Sequence, residues 1–361
     1  MFRYIWLLIA LLILQPQVMA SEQIVKQPLK VGFLYAGSFS DKGWTAEHER
    51  GRLYVQNTMK GKVETSCVEN VQENGEAERV MERMIAQGCK LIFATSYGYL
   101  ESVLKESAKH SDVVFMQSNR FKNRKNLGSY FIAPYEPMYL AGVIAGRMTK
   151  SNKLGYVGMR VVAPLIQSVN GYALGVRSVN PRAKIKVVWT NTWSDPVIEV
   201  EAAKSLMETG IDILAFSQGG FSPLLKLAED NHLKVVGAFT TARELAPTQW
   251  LTGVSFNWGP FYAQICQSVI DHTWKSKEYL CDIRSGSIDL APFGPLVPNA
   301  VRQEVVSLKD KMKTGKLVIF AGPVKDAQGK MHLSAGEKPS IDWISKMNFF
   351  VPGIDGNLPK N

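Results

Sequence analysis

Reactive and metal-binding side chains are scarce in this chain, and the few present do not form motifs. Four cysteines, Cys67, Cys89, Cys266 and Cys281, are dispersed without a C-x-x-C pair or a zinc-like spacing, which leaves metal binding without support. Five histidines, at 48, 110, 232, 272 and 332, fall in no pattern with a serine or cysteine nucleophile. His48, between Glu47 and Glu49, reads as part of a solvated helix face. No Gly-Lys-Ser/Thr phosphate loop is present, and Gly32 to Gly37 lacks the Gly-x-Gly-x-x-Gly spacing of a dinucleotide site. A dense basic tract is also missing: the formal charge of +10 is spread along the chain, so a loose positive field is expected rather than a nucleic-acid surface. The sequence thus gives no sign of an enzyme or of a cofactor.

What is present starts with an address. Arg3, the apolar stretch Ile5 to Leu14 and the small-residue site Val18-Met19-Ala20 make residues 1–20 a secretory signal peptide, too short and wrongly flanked for a membrane span. No cysteine follows the apolar core, so a lipid anchor is not expected, and the mature chain is expected to be periplasmic. In that oxidising compartment a bridge between Cys266 and Cys281, closing the loop His272 to Leu280, is the favoured pairing, with Cys67 and Cys89 as buried small hydrophobes.

Short apolar strands then alternate with longer helical stretches. Lys30 to Tyr35, Val63 to Val68, Leu91 to Thr95 and Val113 to Gln117 read as strands, with helices at Trp44 to Met59, Asn74 to Gln87 and Tyr99 to Lys109 between them. The series repeats from Leu154 to Ala238, with helices at Gln167 to Ser178, Ile198 to Glu208 and Ser222 to Asp230. Such βαβ rhythm implies parallel sheets with right-handed crossovers. The helix Met138 to Thr149 lies across the junction. Later, Phe256 to Trp274 and Val301 to Thr314 read as helices, and Gly315 to Gly322 with Lys330 to Leu333 as a hairpin. The fold class is therefore α/β, with two similar doubly wound lobes joined by a hinge. The first lobe is expected over 27–133 plus 257–315, and the second over 134–256 plus 316–361.

Ligands of such sheets collect beyond the carboxyl ends of the strands. The candidate ligand-binding residues chosen on that ground are Asp41, Trp44, Ser96, Tyr97, Asn119, Trp193, Asp195, Gln218, Phe221 and Thr240. Trp44 and Trp193, one from each lobe, are suited to sandwich a planar ligand. Simpler roles stand beside these: Asp41 as a helix cap, Trp44 as packing beneath the helix, and Trp189 with Trp193 along a core edge. Four residues apart across a strand end, those two cannot both be buried in the same way.

On these residues the chain resembles the basic membrane protein (BMP) family of ABC-transporter substrate-binding proteins, built on the type I periplasmic-binding fold, over nearly all of its mature length. The stretches that carry the resemblance are Gly37-Ser-Phe-Ser-Asp-Lys-Gly-Trp44, Ile92-Phe-Ala-Thr-Ser-Tyr-Gly-Tyr99, Tyr139-Leu-Ala-Gly-Val-Ile-Ala-Gly146, Val188-Trp-Thr-Asn-Thr-Trp-Ser-Asp-Pro196, Asn257-Trp-Gly-Pro-Phe-Tyr262 and Ala321-Gly-Pro323. The resemblance implies a receptor for purine nucleosides or related bases that delivers its ligand to an inner-membrane permease; separately, a monomer is expected. It also implies an anchoring role for Asp41, with Trp44 and Tyr97 facing the ligand. Departures are visible at Phe221-Ser222-Pro223, where relatives tend to have Asp-Ser-Pro, and at Gly237-Ala-Phe-Thr-Thr241, where two carboxylates are replaced. Val161-Val162-Ala163-Pro164 lacks the family's acid, and an apolar residue near Phe256 stands for its lysine. A buried ligand donor without an acceptor costs about 1–3 kcal/mol, so these changes argue for a planar ligand other than an ordinary ribonucleoside. A sensory subunit acting on a membrane-bound signalling protein is the alternative reading. A secreted enzyme using Asp41 and Asp195 as a carboxylate pair is a third.

Overall fold

The strand Leu29–Leu34 is buried on both faces from Val31 onward because helices cover its sheet above and below. The computed structural model describes residues 27–118, 124–217, 222–237 and 243–358. Its first half runs β1 (Leu29–Leu34), α1 (Trp44–Thr58), β2 (Val63–Val68), α2 (Gly75–Ala86), β3 (Leu91–Ala94), α3 (Leu100–Lys109), β4 (Val114–Ser118) and β5 (Leu127–Ile132). The second runs α4 (Tyr135–Met148), β6 (Lys153–Gly158), α5 (Ala163–Val179), β7 (Lys184–Trp189), α6 (Pro196–Met207), β8 (Ile213–Ser217), α7 (Ser222–Asp230), β9 (Lys234–Gly237) and β10 (Trp250–Phe256). There follow α8 (Trp258–Ile270), β11 (Glu278–Cys281), β12 (Ile288–Leu290), α9 (Asn299–Lys313), β13 (Val324–Lys325), β14 (Met331–Leu333), α10 (Ile341–Ser345) and β15 (Ile354–Asp355).

Two sheets result. The first has the order β11-β5-β4-β3-β1-β2 and is parallel throughout. The second has the order β12-β10-β9-β8-β6-β7-β15 and is parallel except where β12 meets β10. Strand order reverses on either side of β1 in one sheet and of β6 in the other, so the loops after these strands diverge and open a crevice.

Among the described residues the chain passes between the sheets at 133–134, at 257 and over 282–287. These crossings are tied together: Ala133 N–H donates to Cys281 O at 3.0 Å, and Asn257 N–H to Ser287 O at 2.9 Å. Ile283 N–H donates to the Glu136 carboxylate at 2.9 Å. Within the second lobe α4 and α5 approach backbone to backbone. A Cβ at Gly142 would sit 2.2 Å from Tyr172 O, and one at Gly175 would sit 2.0 Å from Tyr139 O, so only glycine permits this contact.

Several local expectations change. The helix expected over 256–274 is α8, ending at Ile270, and the late hairpin pairs β13 with β14 rather than using 315–322. The sequence places 288–313 with the first lobe, whereas β12 extends the second sheet and Arg147 of α4 pairs with Glu304 of α9 at 2.9 Å. The cysteines expected to be bridged, Cys266 and Cys281, are free thiols, as are Cys67 and Cys89. Cys281 belongs to β11 and Cys266 to α8, both buried in the core, and burial pushes each thiol up to about 12. Among the described residues no helix is long and apolar enough to cross a membrane.

Candidate functional site

The loop after β1 is shaped by a carboxylate on the neighbouring strand end. Glu69 accepts from Ser38 Oγ at 2.8 Å and from Phe39 N–H at 2.7 Å, which folds Phe39–Asp41 into a tight turn ahead of α1. The N-cap of α1 is Gly43, so Asp41 is not the cap; its side chain lies outside the described structure. Trp44, the first residue of α1, donates its indole N–H to Thr95 O at 2.8 Å. Thr95 in turn binds Leu34 O through its hydroxyl at 2.6 Å, so the ring is tied to the ends of β1 and β3.

Beneath Trp44 lies an aromatic block. Its ring meets Phe256 edge-on at 5.6 Å, Trp258 at 5.9 Å and His48 at 4.4 Å. His48, expected on a solvated face, is instead fully buried, stacked on Trp258 at 4.7 Å and hydrogen-bonded to the Tyr262 hydroxyl through Nδ1. The face of α1 that carries Thr45, Glu47 and His48 turns inward because α8 packs against that helix. Burial holds the imidazole well below its ordinary range, so it is neutral at physiological pH.

Trp44 opens onto a cavity of about 630 Å³ between the lobes. Its first-lobe wall includes Trp44, Asn70, Ser96 and Tyr97, and its second-lobe wall includes Arg160, Asn191 and Trp193, with Met159, Val162 and Leu165 supplying apolar surface. Arg160 is the only charged side chain among the described lining residues, and its guanidinium lies 5.3 Å from the centre of the Trp193 ring. Trp189 takes the other course, stacking parallel to Phe350 at 6.4 Å on its own lobe.

One carboxylate spans the cleft. Glu73, in the loop between β2 and α2, accepts from Ser96 Oγ at 2.5 Å and Gly98 N–H at 3.1 Å on its own lobe. Its other oxygen accepts the indole N–H of Trp193 from the second lobe at 2.9 Å.

Of the residues chosen on sequence, Trp44, Ser96, Tyr97 and Trp193 line this cavity. Asp195 instead caps α6, accepting from Val197 N–H and Ile198 N–H at 3.1 Å each. Asn119, Gln218, Phe221 and Thr240 lie outside the described residues. Sequence reasoning missed Asn70, Glu73, Arg160 and Asn191. Each follows the carboxyl end of a strand, β2, β6 or β7, so the rule that selected the others would have selected these too.

Outside the cleft, Glu82 of α2 converges with Glu106 of α3 and with His110 at its end. His110 Nε2 is 3.1 Å from Glu82 and 3.6 Å from Glu106, and Lys109 Nζ reaches Glu106 at 2.8 Å and Glu82 at 3.2 Å. The lysine joins the two carboxylates, and the cluster closes as an ion network between helices.

Two parallel-stranded α/β lobes joined by three crossings, with a walled cavity between them, define a periplasmic-binding-protein architecture. Solved structures share it. A solute-binding protein of an ABC transporter from Aeropyrum pernix K1 superposes with a TM-score of 0.71 at 14% identity, covering 84% of this chain and 95% of that one. A transcriptional activator of the comK gene from Bacillus halodurans superposes at 0.70 with 20% identity, covering 80% and 99%. At such identities these likenesses speak for the fold alone.

Residues 29–328 match the family described as ABC transporter substrate-binding protein PnrA-like, and the chain belongs to this Bmp family. Its members are secreted, non-catalytic components of ABC transporters that hand small ligands to a membrane permease. A purine-binding protein from Brucella abortus is 37% identical over 335 residues, 93% of this chain and 95% of that protein. A Haloferax volcanii protein, described provisionally as the glucose-binding component of an ABC transporter, is 29% identical over 92% of this chain and 82% of its own length.

Proposed function

We propose that this protein binds a purine base, or a closely related planar ligand, between Trp44 and Trp193, and delivers it to an inner-membrane permease after export directed by residues 1–20. The observation that carries this reading is the pairing of two indoles from opposite lobes on one cavity of about 630 Å³, a size ordinary for small-molecule sites. An aromatic base stacks on such walls with about 0.5–1.5 kcal/mol per ring beyond the area it buries. Asn70, Ser96 and Arg160 supply hydrogen-bonding groups for the edge of the ring. A furanose or pyranose has polar groups on all sides and gains less from two aromatic walls, which favours the base over a free sugar. The extensive identity with the Brucella abortus purine-binding protein supports the same choice.

Closure follows from differential affinity. A ligand that touches Ser96 and Tyr97 on one lobe and Trp193 on the other is bound more tightly by the closed form, and it shifts the population toward that form. The test is a thermal-shift panel on the mature protein, stripped of co-purified ligand, with adenine, guanine, hypoxanthine, their nucleosides and glucose. A concentration-dependent rise in melting temperature with one or more bases is expected. A rise with glucose and none with any purine would overturn the reading.

A further inference from the structure

We propose that Glu73 is the closed-state latch of this receptor: a positioning residue that bonds across the cleft to the indole of Trp193 and thereby sets both the orientation of that wall and the lifetime of the closed form. The proposal takes its probe from the purine reading, but its geometry is independent of the ligand.

Four observations converge on this one carboxylate. The first is that Glu73 is already held on its own lobe, with Oε1 accepting from Ser96 Oγ at 2.5 Å and Gly98 N–H at 3.1 Å. Its position therefore does not depend on the second lobe, and the remaining oxygen is presented rather than left to search. A second is that Oε2 meets Trp193 Nε1 at 2.9 Å, a normal hydrogen-bond distance and a charge-assisted one, across a separation of 120 residues in sequence.

The third observation is the glycine at 98. A Cβ there would lie 2.2–2.5 Å from the three atoms of the Glu73 carboxyl group, so any other residue would expel the carboxylate from its seat. The fourth is the setting of Trp193. It lies in the loop between β7 and α6, and Arg160 on its own lobe contacts only its ring face, at 5.3 Å. Its single polar atom, the indole N–H, is satisfied by the opposite lobe.

Opening the cleft breaks the Glu73–Trp193 bond and returns both groups to water, while closing it restores a preorganised acceptor to its donor. The latch also ties the wall to the ligand-facing loop, because Ser96, which anchors Glu73, itself lines the cavity beside Tyr97. A ligand that settles the Ser96–Tyr97 loop thus settles the latch as well, and the bond resists opening once the ligand is in place.

The experiment is a double-mutant cycle on the full mature protein, with adenine as the first probe and the best purine from the panel as the second. Trp193→Phe keeps an aromatic wall and removes the N–H; Glu73→Ala removes the acceptor. Each substitution should weaken binding about tenfold or more, the range of a hydrogen bond to a charged group, chiefly through faster dissociation. The double variant should be no weaker than the stronger-effect single variant. Glu73→Gln, which keeps the shape, provides a second variant if Glu73→Ala melts before wild type; it should weaken binding by a smaller factor. Independent, multiplicative losses, or wild-type affinity in Glu73→Ala, would overturn the latch. Small-angle scattering gives a readout that needs no ligand: wild type should have a smaller radius of gyration than Glu73→Ala and Trp193→Phe in the same buffer, and equal radii would overturn the latch. If wild type binds no purine while its radius is the smaller, the purine reading fails and the latch stands.

Discussion

The two indoles that flank the cleft are held in opposite ways. Trp44 is held chiefly within its own lobe: its N–H is bound by Thr95 O and its ring is edged by Trp258 and the buried His48, with Phe256 added from the last position of β10, next to the crossing at 257. Trp193 is part of the interface between lobes: its N–H is bound by Glu73 from across the cleft. One wall is built when the first lobe folds, and the other is completed when the lobes meet. A receptor that must both recognise and release gains from this division, since a rigid wall preserves specificity and a conditional wall couples occupancy to shape.

Substitution of the two walls breaks the comparison most sharply. Trp44→Ala should abolish measurable purine binding and also lower stability by about 2–3 kcal/mol, less than for a fully buried tryptophan because the side chain is partly open to the cavity. Calorimetric titration and chemical denaturation check the two effects. Trp193→Ala should weaken binding by roughly 30–100-fold while changing stability by less than about 1 kcal/mol. Equal stability losses in both variants would erase the distinction between a lobe wall and an interface wall.

A subtler change, Gly98→Ala, replaces neither indole nor any other residue lining the cavity. By displacing the Glu73 carboxylate it should reproduce roughly the tenfold loss of the latch variants without the stability loss of Trp44→Ala, as read by dissociation rate and melting temperature.

The hinge offers a pH test. Burial raises the Glu136 carboxyl from 4.5 to about 7, and nearby Asp282 adds to the rise while the Ile283 N–H and Arg284 oppose it. A folded-state value above the unfolded one means that its contribution to stability is fully present below about pH 4.5 and is lost as pH rises through about 7. Glu136→Gln should therefore flatten the slope of stability across that window. An unchanged slope would show that the hinge carboxyl titrates normally. The smallest effect concerns the thiols: because Cys266 and Cys281 are free, a reductant should leave the melting temperature unchanged within about 1 °C, and peptide mapping of the unreduced protein should find no linkage.

Much of the architecture is legible in the sequence because parallel strands buried on both faces are continuous apolar runs, and Leu91–Ala94 or Leu154 to Gly158 can hardly be read otherwise. Strand-end logic likewise locates Trp44, Ser96, Tyr97 and Trp193 at one cavity. His48 was misread because two flanking glutamates signal solvent locally, whereas α8 arrives from more than 200 residues away to bury that face. Glu73 follows β2 and so falls under the same strand-end rule, but it is one of several acids around that loop, and its part in the cleft shows only when the fold brings Ser96, Gly98 and Trp193 to it. The cysteine pairing failed for a related reason, since a short loop on paper proves to contain a strand of the first sheet, and the two thiols are fixed by separate packing.

The central claim, that two indoles held in different ways form one purine site, is tested most directly by calorimetric titration of the ligand-stripped mature protein with the purine bases, wild type beside Trp44→Ala and Trp193→Ala. One saturable site in wild type, absent in Trp44→Ala and weakened in Trp193→Ala, is the predicted result. A wild-type protein that gives no binding heat with any purine, or a Trp44→Ala variant that binds as wild type does, would contradict it.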